Sequence, residues 1–304
     1  MIARQRGVAI VLAMGVVAVA AIAATAILVS QSTWARQAEL TRDHVQAQIL
    51  VQAGVDWSRA ILSEDRRAGT IDHLGEPWAL RLPPIPFDRG EIAGHIEDQQ
   101  GLFNLNNLVQ GGKVNLPQLA RFRRLLSILG LPVAVADSLT DWMDADSEPR
   151  SADGAEDGYY LALDTPYLAA NRPLTDVAEL ALVRGFDPDV RARLHPFVTA
   201  LPRATRVNVN TAPAEVLAAV VDGLDLDAAR SLIAQRDKTW FRSPADFTRR
   251  AFPRAGTTSE EISVSSDYFM VTLRATIGEA EARGTALLGR EDTRWPAVIW
   301  KKTP

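Results

Sequence analysis

The dominant pattern in the sequence is an unbroken apolar run near its N-terminus. Residues 8–29 carry no charge, and only Gly15 and Thr25 interrupt their apolar side chains. At about 1.5 Å per residue, a helix of this length crosses a bilayer core of about 30 Å. Because Arg4 and Arg6 precede the run, the positive-inside rule predicts a single transmembrane helix with a cytoplasmic N-terminus and an exported remainder.

Helical character continues beyond the apolar run. No proline occurs between residues 34 and 62. Four residues recur there at the spacing of one helix face: Leu50, Gly54, Trp57 and Ile61. The pattern therefore predicts one helix of about 80 Å, whose amphipathic continuation occupies residues 30–64. The apolar stripe of that continuation needs a partner surface to cover it.

An ordinary cleaved secretory signal is the alternative interpretation of this N-terminus. Such signals have a shorter apolar core of about 7–15 residues, followed by a small-x-small cleavage site. Residues 20–26 offer small side chains of this kind. The length of the apolar run and the helical pattern after it favour a retained anchor.

The segment after the helix and the C-terminal segment both predict strands. Residues 78–82 and 91–97 alternate between apolar and polar side chains, as half-buried strands do. Three more strands are predicted near the C-terminus: 268–277, 283–288 and 297–301. We therefore predict one antiparallel sheet built from residues 77–101 and 262–304.

The intervening residues 102–261 have mainly helical patterns. Predicted helices lie at 119–129, 133–143, 174–184, 188–198, 213–221 and 228–236. If this region and the strands were serial domains, the short strands on either side would each lack a sheet, which is unfavourable. The predicted fold class is therefore α+β, with a long N-terminal helix on an antiparallel sheet and a large all-α insertion between its strands.

Composition excludes several kinds of chemistry. The 304-residue chain contains no cysteine, which removes disulfides, thiolate catalysis and cysteine-based zinc sites. Its net charge of −4 provides no general attraction for nucleic acid. Nucleotide-binding glycine loops, the H-E-x-x-H motif and the G-x-S-x-G motif are also missing from the sequence. We therefore predict that the protein is not an enzyme and has no catalytic residues.

An acid-rich segment in the helical region is the main candidate for a binding site. Residues 141–157 contain seven acids and one base, Arg150. A bound cation would relieve the repulsion among these acids, and Ca²⁺ takes six to eight oxygen ligands, often carboxylates. The segment is not an EF-hand, because the central glycine and the final glutamate are out of place. A solvated acidic loop without metal is the alternative.

The N-terminus resembles the class III signal peptides of type IV pilin-like proteins, with a short basic leader that ends in Gly7 and is followed by a transmembrane helix. The resemblance implies a leader at 1–7, cleavage between Gly7 and Val8 by a prepilin peptidase, and N-methylation of Val8. Most such proteins have glutamate at the fifth residue after the cut, where this chain has Leu12. The lack of glutamate is characteristic of GspK, a minor pseudopilin family of type II secretion systems.

The acid-rich segment also resembles the GspK family. Residues 141–174 are similar to its motif DW-D-D-EP…GAED-YY…NRPL. Members of the GspK family carry calcium in a helical insertion. On the matching positions, the resemblance implies a structural calcium ion with six candidate ligands: Asp141, Asp144, Asp146, Asp153, Glu156 and Asp157.

Residues 207–217 resemble the start of the helix-hairpin-helix modules of DNA-uptake proteins. Thr211 suits an N-cap, and Pro213 suits a first helical turn. The glycine-rich hairpin that would contact phosphate is missing, however, and residues 222–227 place three acids there. GspK members have a similar helix-hairpin-helix or SAM-like element without a nucleic acid ligand. We therefore expect a packing role and no nucleic acid partner.

The resemblance to GspK implies a minor pseudopilin that caps the tip of the type II secretion pseudopilus, initiates its assembly and takes part in protein secretion across the outer membrane. Implied partners are other minor pseudopilins in a ternary tip complex, the major pseudopilin, the prepilin peptidase and the inner membrane, with the secreted substrate or the outer-membrane secretin as further contacts. The expected location is the bacterial inner membrane, single-pass, with a periplasmic C-terminal head. A membrane-anchored calcium-binding adhesion or sensor module and a DNA-uptake protein are the alternatives.

Overall fold

One long helix connects the apolar N-terminus to a globular head. The computed structural model describes residues 5–81, 83–87, 89–252, 260–290 and 295–303. Helix α1 (Gln5–Ala68) spans 64 residues and continues beyond the predicted limit at residue 64. Arg66 and Arg67 lie in its last turn, where basic side chains interact favourably with the helix dipole. Residues 1–4 of the predicted leader lie outside the described residues.

The head contains a five-stranded antiparallel sheet. Its strands are β1 (Ile85–Phe87), β2 (Gly90–Asp98), β3 (Tyr268–Ile277), β4 (Ala280–Gly289) and β5 (Ala297–Lys302). They lie in the order β1–β2–β3–β4–β5, and every neighbouring pair is antiparallel. The turn between β3 and β4 uses Gly278 at a φ of 55°, a conformation that favours glycine. The sheet joins two chain segments that the insertion separates.

One face of α1 packs on the sheet and forms the first hydrophobic core. Its buried helix residues include Ala47, Val51, Val55 and Leu62. A Cβ at Gly54 would lie 2.9 Å from Leu273 Cδ1, so glycine at this position allows a close approach of helix and sheet. Trp57, which the sequence pattern placed on the packed face, is instead 50% exposed. The packed face is therefore rotated away from Trp57, and an apolar strip of α1 stays open.

A second, larger core belongs to the insertion between β2 and β3. Within its described residues, the α-helices are α2 (Leu116–Ile128), α3 (Val135–Met143), α4 (Asp157–Tyr160), α5 (Pro188–Leu194), α6 (Ala214–Val220), α7 (Leu226–Arg236) and α8 (Pro244–Ala251). Short 3-10 helices lie at Leu105–Leu108, Val177–Leu182 and His195–Phe197. The helical content agrees with the predicted character of the region.

The insertion also contains three pairs of two-residue strands. Phe103–Asn104 pairs with Val198–Thr199, Val109–Gln110 with Lys113–Val114, and Val207–Asn208 with Ile262–Ser263. The sequence analysis did not predict these pairs. They form because buried loop segments must still satisfy their backbone N–H and C=O groups.

The predicted strand at residues 78–82 is wrong. A 3-10 helix at Pro77–Ala79 occupies its start, and Leu82 lies outside the described residues. Proline suits the first turn of such a helix, and Trp78 packs edge-to-face on Phe269 with ring centroids 5.1 Å apart. Burial of this tryptophan therefore outweighs the alternating pattern.

The predicted helix at 174–184 is also shorter than expected. Only the 3-10 helix at Val177–Leu182 forms within it. A capping box between Asp176 and Glu179 fixes its start, and Gly185 follows with a φ of 83°. Both ends are thus set by local hydrogen bonding that a hydrophobic pattern does not reveal.

Candidate functional site

The N-terminal part of α1 has the properties of a membrane span. Among the described residues, α1 is the helix whose length and composition suit a bilayer crossing. Gly7 and Val8, the predicted cleavage and methylation residues, lie near its start and are exposed. Leu12 is exposed as well, and no charged side chain occurs from Val8 to residue 29. This surface suits lipid or another apolar helix rather than water.

The acidic segment connects two helices of the insertion. Helix α3 carries Asp137 and Asp141 four residues apart and ends at Met143, and α4 begins at Asp157. All nine residues of α3 are buried, so the helix holds its acidic end firmly in the core. The loop between the two helices folds back over this end.

Three of the predicted ligands converge. Carboxylate oxygens of Asp144, Asp146 and Glu156 all lie within 4.8 Å of one another. Asp144 and Glu156 are buried, whereas Asp146 is exposed and accepts a hydrogen bond from the backbone N–H of Glu148 at 3.0 Å. Within the described part of the chain, Asp144 Oδ1 and both Glu156 oxygens are buried and accept no hydrogen bond.

The electrostatics of these groups are unfavourable without a cation. Burial raises the pKa of Asp144 to about 6, and the charges of Asp146 and Asp141 act in the same direction. Burial raises the pKa of Glu156 to about 7, again assisted by the neighbouring acids. A buried carboxylate without a partner is costly, so these groups require either protons or a cation.

Asp141 shapes the loop rather than joining the three converging carboxylates. Its Oδ2 accepts a hydrogen bond of 2.9 Å from the backbone N–H of Ala155, and the N–H of Arg150 points at both of its oxygens. Gly154 lies against the same carboxylate, where a Cβ would collide with Oδ2. Burial raises the pKa of Asp141 to about 6. Asp141 thus fixes the course of the loop backbone.

The two other predicted ligands lie at the margins of the site. Asp153 is exposed, and its carbonyl oxygen accepts a hydrogen bond of 2.7 Å from Ser138 Oγ. Asp157 Oδ1 accepts a hydrogen bond of 2.9 Å from the backbone N–H of Ala169. Of the six predicted ligands, the structure therefore brings three together, assigns one to loop geometry and places two at the edge.

Sequence reasoning missed two supporting groups. Asp137 bonds Arg123 Nη2 at 2.5 Å and Ser151 Oγ at 2.9 Å, which ties the loop to α2 and α3. Trp142 near the end of α3 packs edge-to-face on Tyr160 of α4, with ring centroids 5.0 Å apart. The i, i+4 spacing of Asp137 and Asp141 was visible in the sequence and could have indicated that both serve the same loop.

The arrangement fits a hard divalent cation. The converging donors are carboxylate oxygens, which Ca²⁺ and Mg²⁺ prefer, and the buried oxygens have lone pairs free for coordination. The loop is irregular and one ligand is exposed, which suits the flexible coordination of Ca²⁺ better than the strict octahedron of Mg²⁺. Asp144, Asp146 and Glu156 would hold such an ion.

The helix-hairpin-helix look-alike turns its polar groups inward. Asn210 exchanges two hydrogen bonds with the backbone of Phe241, and Arg236 donates to the carbonyls of Val209 and Ala212. Asn208 is fully buried. The side chains of these residues are therefore engaged in hydrogen bonds within the protein.

A long helix suited to a membrane span, packed on an antiparallel sheet with a helical insertion at its far end, is the architecture of a pilin-like subunit. Two family models described as type II secretion system protein K match residues 101–203 and 207–265.

Relatives and a solved structure support the same assignment. The type II secretion system protein K of Pseudomonas aeruginosa is 37% identical over 90% of this chain and 86% of its own length. That of Klebsiella pneumoniae is 33% identical over 97% of this chain and 95% of its own. The crystal structure of the GspK–GspI–GspJ complex from the enterotoxigenic Escherichia coli type 2 secretion system contains a chain that superposes with a TM-score of 0.77, at 28% identity, over 88% of this chain and 99% of that one.

The chain belongs to the type II secretion system protein K family and is a minor pseudopilin of that system. The predicted resemblance to GspK and the α+β fold class are confirmed. The family is one of secretion pseudopilins and is not known for enzymatic activity.

Proposed function

We propose that this minor pseudopilin caps the tip of the pseudopilus, initiates its assembly and thereby takes part in protein secretion across the outer membrane. The position of the insertion carries the proposal. It leaves the sheet at Asp98 and returns at Tyr268, beside the last turns of α1 and away from the membrane-spanning end. A body of this size at that position blocks the addition of another subunit above it.

The opposite end of the head faces the membrane segment. Arg36 of α1 bonds Glu279 in the β3–β4 turn at 3.0 Å, and Asp43 bonds Arg89 in the β1–β2 turn at 2.6 Å. Because both turns contact the middle of α1, shortly after its apolar part, this end of the sheet lies on the side of the membrane-spanning segment. We infer a cytoplasmic N-terminus, a single pass through the inner membrane and a periplasmic head, with removal of residues 1–7 by a prepilin peptidase and methylation of Val8.

An open apolar surface is the support for partner binding. Ile49 is 61% exposed and Trp57 50% exposed on the strip of α1 that does not pack on the sheet. Trp57, Leu80 and Ile85 also line a shallow groove beside β1. The solved relative is a complex with GspI and GspJ. We infer that two other minor pseudopilins pack their helices on this strip of α1 and that the major pseudopilin then joins the complex. We also infer that the secreted substrate or the secretin contacts the insertion.

We also propose that the acidic loop binds a structural calcium ion through Asp144, Asp146 and Glu156. The ion would join the end of α3 to the start of α4 and neutralise the buried carboxylates. Asp141 keeps the loop backbone in register, and Asp157 holds the following segment near Ala169. Asp153 can contribute only from the exposed rim.

A replacement of the insertion tests the capping function. A full-length membrane form in which residues 102–261 are replaced by a short linker should still enter the membrane and should produce longer pseudopili on overexpression, as measured by electron microscopy. Pseudopili of normal length with the shortened protein present at normal abundance would contradict capping.

The Ile49→Asp variant tests partner binding. It should lower co-purification of the two other minor pseudopilins, whereas the exposed control Glu91→Gln should not.

A further inference from the structure

A buried polar network joins the sheet, the insertion and the end of α1. It lies where the chain passes from β2 into the insertion and from the insertion back into β3. Asp98 at the end of β2 is the central acceptor: its Oδ2 accepts hydrogen bonds of 2.6 Å from Ser266 Oγ and 2.6 Å from Thr211 Oγ1. Its Oδ1 accepts a bond of 2.8 Å from the backbone N–H of Gln100.

Asn208 connects this acceptor to three parts of the chain. Its Nδ2 lies 3.0 Å from Asp98 Oδ2, 2.9 Å from Ser266 Oγ and 3.1 Å from the carbonyl oxygen of Asp72. Its Oδ1 accepts a bond of 3.0 Å from the N–H of Asn210, which keeps the local turn of the insertion. Asn208 and Ser266 are fully buried, so water does not compete for these bonds.

The segment after α1 enters the same network. Residues 69–76, which we term the strap, place Asp72 between the sheet and the insertion. Asp72 accepts a bond of 2.7 Å from the N–H of Ser266 and donates its own N–H to the carbonyl of Val264 at 2.9 Å. The strap is thereby bound to the segment through which the chain returns to the sheet.

Arg290 at the end of β4 fastens the strap to α1. Its guanidinium bonds Asp72 and, at 2.7 Å, Asp65 Oδ2 in the last turns of the helix, and Nε donates to the carbonyl of Ser266 at 3.0 Å. The group also stacks over the ring of Phe269 at 4.6 Å. One buried arginine thus links the helix, the strap and the return segment.

We propose that this network is a rigid joint, in which Asn208 and Asp98 hold the insertion in a fixed orientation on the sheet and the strap transmits that orientation to α1. The segment that resembles a DNA-binding module thereby has a mechanical role, because the side chain of its Asn208 forms hydrogen bonds within the joint. The inference is independent of calcium and of tip capping, since it concerns only how the two bodies of the head are joined.

A swap of donor and acceptor tests the joint. The substitution Asn208→Asp keeps side-chain size and the turn-forming oxygen but places a second carboxylate against Asp98. The double variant Asn208→Asp/Asp98→Asn restores an amide–carboxylate pair in reverse. Because the chain has no cysteine, spin labels at Glu91→Cys and Asp164→Cys, both exposed, report the distance between sheet and insertion in the full-length, membrane-reconstituted protein.

Native protein should give a narrow distance distribution, Asn208→Asp one at least about twofold broader, and the double variant a narrow one again. Asn210→Asp, two residues away, is the matched control: its bonds stay within the insertion, so the distribution should not widen. A folded Asn208→Asp protein with an unchanged distribution would overturn the proposal. If that variant does not fold, Ser266→Ala takes its place, with widening supporting the joint and an unchanged width refuting it.

Discussion

Two groups of acids in this protein each bring three carboxylates close together, but they differ in the partners that the protein supplies. Oxygens of Asp144, Asp146 and Glu156 lie within 4.8 Å of one another, and so do those of Asp65, Asp72 and Glu76. In the second group the protein supplies its own cation, Arg290, and hydrogen bonds from the backbone. In the first group, three buried oxygens have no partner among the described residues.

The comparison shows that proximity of carboxylates alone does not define a metal site. What distinguishes the two groups is their partners: Asp65, Asp72 and Glu76 have ion-pair or hydrogen-bond partners within the protein, whereas three buried oxygens of the loop have none among the described residues. Glu76 illustrates the point, because its Oε2 accepts bonds of 2.8 Å from both the N–H of His73 and Trp78 Nε1. The loop should therefore respond to calcium and the joint should not.

Removing the internal cation should have the largest effect. Arg290→Gln leaves Asp65 and Asp72 without their charge partner, and breaking a buried ion pair from one side costs about 3–5 kcal/mol. We expect this loss in the free energy of unfolding, measured by urea denaturation in saturating calcium. The exposed control Arg283→Gln should change it by less than about 0.5 kcal/mol. Equal effects of the two substitutions would contradict the assigned role of Arg290.

Removing calcium should have the next largest effect. A ligand present at 100–1,000 times its Kd stabilises the folded state by about 3–4 kcal/mol, so chelation with EGTA should lower the melting temperature. Terbium should bind in place of calcium and luminesce on excitation of the nearby Trp142. Trp142→Phe should abolish that signal, and Trp240→Phe should keep it. An unchanged melting curve after verified calcium removal would exclude a structural ion.

The substitution Glu156→Gln should reverse sign with calcium. In EGTA, loss of a buried unpaired charge should stabilise the protein by about 1 kcal/mol, whereas in calcium the variant should be less stable than the native chain. Thermal unfolding under both conditions measures the difference. Asp153→Asn, at the exposed rim, should be nearly neutral in EGTA. Destabilisation by Glu156→Gln under both conditions would point to a purely structural glutamate.

The smallest expected effect is a pH dependence of the folding stability that arises from Glu76 in the strap. Burial raises the pKa of Glu76 to about 7, so between about pH 4.5 and 7 the folded state holds a proton that the unfolded state releases. The contribution of Glu76 to stability should then fall as pH rises through this window, by less than the ~1.4 kcal/mol per pH unit that one full proton would give. Asp72, whose pKa burial raises to about 6, adds to the same fall. Unfolding at several pH values in saturating calcium should show a flatter profile for Glu76→Gln than for the native chain. The exposed control Glu97→Gln should retain the native slope.

The sequence was sufficient for elements whose pattern is local. The apolar residues 8–29 and the alternation in 268–277 predicted α1 and β3, because a single periodicity dominates each segment. Trp78 escaped prediction because its burial against Phe269 depends on a strand 190 residues further along the chain. Local patterns contain no record of such a contact.

The candidate site shows the same division. The acids at 141–157 were evident from composition, but which of them converge depends on how the loop folds over α3. Arg290 gave no signal at all, since its partners Asp65 and Asp72 lie 225 and 218 residues earlier. Interactions between charges that distant in sequence become visible only in the folded chain.

The continuity of α1 has a mechanical consequence. No proline or other break occurs between Val8 and Ala68, and the sheet is fastened along the helix from Asp43 to Asp65. An α-helix resists compression along its axis because every turn is closed by backbone hydrogen bonds. Axial movement of this helix should therefore carry the head with it, because the sheet is bonded to α1 near both ends of their contact.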